Sequence, residues 1–231
     1  MRSIFLIVNP KSGTKKYNKV LNLVINEFKN ANIEYTLNKT EYSGHAIDLV
    51  RSCDIAKYDS VCAIGGDGTL YEVLNGMLTR EDKMKIPIGL IPGGTGNSFM
   101  KTIDCLEPID AINKITSNMA RTIDVMQVNA ADKQYYSLNL VGWGMATDIS
   151  VFAERLRIIG GQRYNVASIF EIIKNKKREA KLIVDGSERE GDFCFIISCN
   201  TKYVGKGMKM APNASIDDGL IDLIIVKKTS R

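Results

Sequence analysis

Apolar residues in the first half of the chain switch repeatedly between two spacings. Residues 4–8 (Ile, Phe, Leu, Ile, Val) form an unbroken apolar run of strand length. Tyr17, Val20, Leu21, Val24, Ile25 and Phe28 then recur at the three-to-four spacing of one helix face. Residues 33–40 alternate as a strand does, and Ala46, Ile47, Leu49 and Val50 fit a helix. Residues 61–64 predict a short strand, 70–78 a helix and 88–91 a fourth strand, with helical stretches following as far as Met119. Strands and helices alternating at these lengths predict a parallel sheet with helices on both faces.

Beyond Ile123 the texture changes. Strand-like runs occupy residues 123–128, 135–141, 181–184, 193–198 and 220–226, mostly separated by Asp, Gly, Asn and Lys turns such as Asp185-Gly186 and Asp218-Gly219. One helix is expected within residues 150–176. This pattern predicts a mainly antiparallel β domain. The fold class is therefore α/β plus β, with an α/β domain over residues 1–123, a β-rich domain over 124–231 and a hinge near 121–126.

Composition narrows the function classes. The chain has 231 residues, enough for a buried core, and 45% are hydrophobic, so it belongs with globular domains. A net charge of +5 fits an anionic ligand but is too weak and too dispersed for nucleic-acid binding. Five scattered cysteines form no C-x-x-C pair and an odd total, which argues against a disulfide framework or a zinc site and for a reducing compartment. Cys62 and Cys194 fall in apolar runs and are expected to be core residues. No segment has the length or polarity of a signal sequence or a membrane span, so a cytoplasmic location is expected.

Chemistry concentrates in three segments, each following a predicted strand. They are Asn9-Pro10-Lys11-Ser12-Gly13-Thr14-Lys15, Gly65-Gly66-Asp67-Gly68-Thr69, and Pro92-Gly93-Gly94-Thr95-Gly96-Asn97. In an open parallel sheet ligands bind beyond the carboxyl ends of the strands, so all three are expected on one edge. Glycines let backbone N–H groups approach phosphate oxygens, and the following helix N-termini favour negative charge. A single such loop is more often only a tight turn; three together, one with a carboxylate between glycines, point to phosphate. No Walker or G-x-G-x-x-G sequence is present, nor are the protein-kinase segments. The single histidine, His45, lies on a predicted helix and is expected to be structural.

These residues resemble a known family. Gly65-Gly66-Asp67-Gly68-Thr69 with Glu72, Asn75 and Gly76 is similar to the G-G-D-G-T-x-x-E-x-x-N-G signature of the diacylglycerol kinase catalytic domain, a superfamily that includes sphingosine and ceramide kinases. The Asn-Pro-x-Ser-Gly start and the run from Pro92 to Phe99 match the same family in order and spacing. The G-G-D-G-T loop alone occurs in NAD kinases too. The stretch from Gly142 to Tyr164, with Asp148, Glu154, Arg157 and Arg163, is closest to the sphingosine and ceramide kinase branch.

The resemblance implies a phosphofructokinase-like nucleotide domain followed by a β-sandwich, and ATP and Mg2+ as cofactors. It implies transfer of the γ-phosphoryl group of ATP to the hydroxyl of a sphingoid base, ceramide or diacylglycerol. It places ATP on Asn9, Lys11, Ser12, Gly13, Gly65, Gly66, Gly68, Thr69, Glu72, Gly94, Thr95, Gly96, Asn97, Arg157 and Arg163, and the lipid head group at Asp148. Asp218 and Asp222, in a D-G-x-x-D-L segment, correspond to metal-linked carboxylates. From the residues themselves, Asp67 is the candidate base for the acceptor hydroxyl, with helix capping as its alternative role. A lipid substrate implies transient contact with a membrane surface, and Lys174, Lys176, Lys177 and Arg178 are candidates for it, although a solvated helix end accounts for them as well. Family members carry further strands and a late D-G-E segment, and no D-G-E occurs here. The β domain is therefore expected to be incomplete, with three explanations open: a piece of a longer protein, a genuinely short protein, or completion by a second copy or a partner that covers the unpaired edges. A non-catalytic nucleotide- or lipid-binding module and an NAD kinase are the competing functions.

Overall fold

The protein is described by a computed structural model covering residues 1–12, 17–94, 96–156, 163–174, 176, 178–205 and 207–228, with backbone only for residues 163–165, 172 and 173. The chain opens with β1 (Arg2–Val8), α1 (Tyr17–Asn30), β2 (Ile33–Lys39) and α2 (His45–Ser52). After a short 3-10 turn come β3 (Ser60–Gly65), α3 (Asp67–Leu78), β4 (Ile88–Pro92), α4 (Ser98–Thr102) and α5 (Pro108–Thr116). The four strands pair in parallel in the order β2-β1-β3-β4. Right-handed crossovers then put α1 on one face, where it meets α5, and α2 and α3 together on the other. Central strands covered on both faces must be apolar throughout. Ile4 to Val8 and Val61 to Ile64 are all buried, and Val24 and Phe28 of α1, Val50 of α2 and Val73 of α3 close over them.

A hairpin, β5 (Met126–Ala130) and β6 (Lys133–Ser137), follows. The expected continuous strand over 135–141 is in fact two. β6 stops at Ser137, Leu138 turns into the core, and β7 (Leu140–Gly144) starts in a different sheet. The expected single helix is also two, α6 (Met145–Arg155) and α7 (Arg163–Lys174). α6 begins earlier than the sequence predicts because Gly144, at φ 82°, turns β7 directly into it. Then come β8 (Glu179–Val184), β9 (Ser187–Cys199), β10 (Tyr203–Val204), β11 (Met208–Lys209) and β12 (Asp222–Lys227). β9 is longer than predicted because it serves two pairings. Its first half pairs β8, and its second half lies between β12 and β7, all antiparallel. The last strand starts at Asp222, while Leu220 and Ile221 remain exposed before it.

The chain divides into two compact units, Met1–Asn139 with Asn200–Leu220, and Leu140–Cys199 with Ile221–Arg231. The return segment is stitched into the first unit by named bonds. Asn200 donates its amide to the carbonyls of Asp124 and Leu138, both at 3.0 Å. The Ser98 hydroxyl donates to the Gly205 carbonyl, and Lys101 lies 4.5 Å over the Tyr203 ring.

Candidate active site

The strand order decides which loops meet. β1, β3 and β4 are neighbours and parallel, so the segments leaving their carboxyl ends emerge side by side. The Asn9 N–H donates to the Ile64 carbonyl at 3.2 Å, the Gly93 N–H to the Gly65 carbonyl at 2.8 Å, and the Asp67 N–H to the Gly96 carbonyl at 3.1 Å. The closeness is greatest between Gly66 and Gly94. A β-carbon on Gly94 would lie 2.8 Å from the Cα of Gly66 and 3.0 Å from the Ser12 hydroxyl, and one on Gly66 would lie 2.7 Å from the Gly96 carbonyl oxygen. Backbones can approach this closely only without side chains. The three loops expected on one edge are therefore in mutual contact there.

The polar residues of the second loop and its helix hold neighbouring elements. Asp67 accepts the N–H of Ser98 at 2.8 Å and that of Phe99 at 3.1 Å, so it caps α4, the helix after the third loop. The residue before α4, Asn97, provides no such cap, its amide being turned to the Gly94 carbonyl. Glu72 accepts the N–H groups of Gly44 and Ala46 at 2.9 and 3.2 Å and caps α2, whose own capping position, Gly44, has no side chain. Asn75 donates to the Tyr136 carbonyl and accepts the Tyr136 N–H, both at 2.9 Å, fastening β6 to α3. Asn9 reaches the same helix through its amide, 3.3 Å from the Thr69 hydroxyl.

Chemical capacity remains at this edge. Gly66 precedes α3 and offers no side-chain cap, so the first-turn N–H groups of Gly68 and Thr69 have no partner within the helix. Gly68 is exposed with open space at its Cα. The buried carbonyl oxygen of the Asn97 side chain accepts no hydrogen bond, an acceptor left for an incoming donor. A polyanion with donor groups, such as a nucleoside triphosphate, matches both features. Each Asp67 oxygen accepts one N–H and keeps further acceptor capacity.

The other expected site residues stand as follows. Lys11 is exposed, and its ammonium is 3.2 Å from the Glu41 carbonyl. Gly13, Thr95 and Arg157 lie outside the described residues, as does the side chain of Arg163, which opens α7. Asp148 is in the first turn of α6 and pairs with Arg178. Asp218 accepts the Leu220 N–H at 3.0 Å in a turn, while Asp222 opens β12 opposite Cys199. Among the described residues no group of three or more His, Cys, Asp or Glu side chains gathers to hold a metal ion. His45 accepts the Glu41 N–H at 3.1 Å and stacks on Tyr42. Cys62 is buried, whereas Cys194 is only half-buried. Sequence patterns did not single out Arg178 beyond its charge. Its partners lie 30 and 7 positions away in no recognisable motif.

Comparisons with known proteins agree across the chain. The family described as "Diacylglycerol kinase catalytic domain" matches residues 3–128, and that described as "YegS C-terminal NAD kinase beta sandwich-like domain" matches residues 139–231. The chain is 27% identical to sphingosine kinase 1 of Arabidopsis thaliana over 98% of its own length and 57% of that protein's. It is 30% identical to a diacylglycerol kinase of Staphylococcus saprophyticus over 97% of its own length and 73% of that protein's. The crystal structure of a diacylglycerol kinase from Bacillus anthracis superposes with a TM-score of 0.77 at 26% identity, covering 99% of this chain and 74% of the other. The chain thus spans a little over half the length of the plant kinase. With the signature loops gathered on one sheet edge and the family match covering more than half of the chain, this protein belongs to the diacylglycerol kinase catalytic domain family of lipid kinases.

Proposed function

We propose that the protein transfers the γ-phosphoryl group of ATP to a lipid hydroxyl. The observation that carries this proposal is the contact of three glycine-rich loops at Gly66, Gly94 and Ser12 beside the open N-terminus of α3. The triphosphate lies on Asn9, Lys11, Ser12, Gly13, Gly65, Gly66, Gly68, Thr69 and the Gly94–Asn97 segment, with Arg157 and Arg163 adding positive charge. Glu72, at the same edge, also fixes α2. Phosphoryl transfer needs positioning and charge neutralisation more than covalent help. The lipid oxygen bonds to the γ-phosphorus, the bond to the ADP oxygen breaks, and the hydroxyl proton passes to Asp67. Mg2+ enters with ATP as part of the substrate.

Asp148 meets the lipid head group, and resemblance over residues 142–164 favours a sphingoid base or ceramide over diacylglycerol. Val151 on α6 and Val166, Ile169 and Phe170 on α7 are exposed apolar residues, which supports transient contact with a membrane surface by an otherwise cytoplasmic protein. Of the cationic cluster proposed for that contact, Lys174 and Lys176 are exposed, whereas Arg178 is turned inward. The β domain is read as a sandwich and the first unit as phosphofructokinase-like.

The test is incubation of the pure chain with labelled ATP, Mg2+ and a panel of sphingoid base, ceramide and diacylglycerol. A phosphorylated lipid is expected. ATP binding with no product from any of the three would leave a binding module instead, and NADP formation from NAD would make it an NAD kinase.

A further inference from the structure

We propose that Arg178 is a positioning residue for lipid recognition, acting through Asp148. The proposal rests on Asp148 meeting the lipid head group. Arg178 sits just before β8 with its side chain only 10% exposed, and its carbonyl accepts the Phe193 N–H at 3.0 Å, so the guanidinium starts from a fixed backbone. One terminal nitrogen pairs with Asp148, whose side chain is 34% exposed. The other donates to the Lys176 carbonyl at 3.1 Å. Glu171 of α7, 4% exposed, has a carboxylate oxygen 3.9 Å from the guanidinium that accepts no hydrogen bond, and its other oxygen is 3.5 Å from the Lys174 ammonium.

The asymmetry of these contacts carries the inference. A buried arginine that needed only charge compensation would close on the more buried carboxylate, where the attraction is strongest. Arg178 instead makes its hydrogen bond to the half-exposed Asp148 and leaves the Glu171 oxygen beyond hydrogen-bond distance. The planar guanidinium fork thereby sets the direction of Asp148. Local backbone geometry provides the room. Gly144 lies at φ 82°, and a β-carbon there would meet the Cys194 carbonyl at 2.7 Å and the Arg178 stem at 3.4 Å. The nearby Glu171 carboxylate helps to compensate the guanidinium charge, and Asp148 stays partly open to solvent.

Trp143, the only tryptophan, lies in β7 five residues before Asp148 and is 42% exposed, so its emission offers a binding signal that needs no turnover. Short-chain sphingoid base and short-chain diacylglycerol would be titrated against wild type, R178Q, D148N and the double variant, with KM and kcat measured in parallel. For the lipid that wild type binds, R178Q and D148N are each expected to weaken binding and raise KM by about tenfold, with kcat at saturation within about threefold. The double variant should be no weaker than D148N, because the two act as one unit. R178K, which keeps the charge but not the fork, should fall between R178Q and wild type, and it serves as the test if R178Q fails to fold. R178Q, or in that case R178K, binding as wild type does, or losses in the double variant that multiply, would overturn the positioning role and leave the kinase proposal standing. A wild type that neither binds nor phosphorylates any lipid would overturn the Asp148 assignment and this inference with it.

Discussion

Asp67, Glu72 and Asn75 are written into one helix, yet each serves a different neighbour. Five residues on a helix correspond to a turn of about 500°, so Asp67 and Glu72 face directions about 140° apart. One caps α4, the other caps α2, and Asn75 engages β6. Replacing Asn75 by Ala leaves the Tyr136 N–H and carbonyl unsatisfied, which is expected to cost about 2 kcal/mol. A lowered urea midpoint with an unchanged m-value would report it, and an unchanged midpoint would remove the fastening role. Asp67 combines two roles. Asp67→Asn keeps one acceptor for the α4 amides but cannot take a proton, so lipid phosphorylation should fall at least about a hundredfold. ATP binding, measured by calorimetry, should change far less. Turnover within threefold of wild type in a folded variant would exclude Asp67 as the base.

At the scale of elements, α2 and α4 begin without a cap of their own. Gly44 has no side chain, and the Asn97 amide is occupied elsewhere. Both helices therefore depend on α3, and the loops that precede them are fixed to the sheet edge by the same contacts. Glu72→Ala should destabilise the protein by about 1 kcal/mol through the lost cap of α2. Amide exchange should accelerate mainly at Gly44 and Ala46, whose N–H groups Glu72 accepts. A uniform acceleration across the first unit would instead indicate a general packing loss. The elements themselves were largely legible, because period-2 and period-3.6 patterns in residues 4–116 are long and unmixed. Patterns gave out at Leu138-Asn139 and around Gly144, where the chain changes sheets or turns a strand into a helix without an intervening polar stretch. A local apolar run cannot reveal which sheet receives it.

For the whole molecule, the first unit rests on strands covered on both sides, and Cys62 lies at the centre of that core. Burial pushes its thiol up to about 12. In the unfolded chain the thiol titrates near 8.5, so the folded state binds the proton more tightly. Stability from this group is complete below about pH 8.5 and declines by about 1.4 kcal/mol per pH unit above it, until the folded thiol itself ionises. Urea unfolding at pH 8 and pH 10 should show a smaller alkaline loss in Cys62→Ala than in wild type. Equal losses would show that Cys62 does not contribute to alkaline unfolding. The same burial should leave Cys62 unmodified by thiol reagents until the protein unfolds.

The order of strands and helices over residues 4–116, and the three loops rich in glycine, were determined by the sequence alone, since periodicity and backbone freedom are local properties. Which residues those loops touch was decided only by the tertiary structure. That Asp67 reaches α4, that Glu72 reaches α2 and that Arg178 holds Asp148 depend on contacts between positions some 26 to 32 residues apart. Such contacts arise because parallel pairing and helix crossings bring distant segments together, and no local pattern of side chains encodes that meeting.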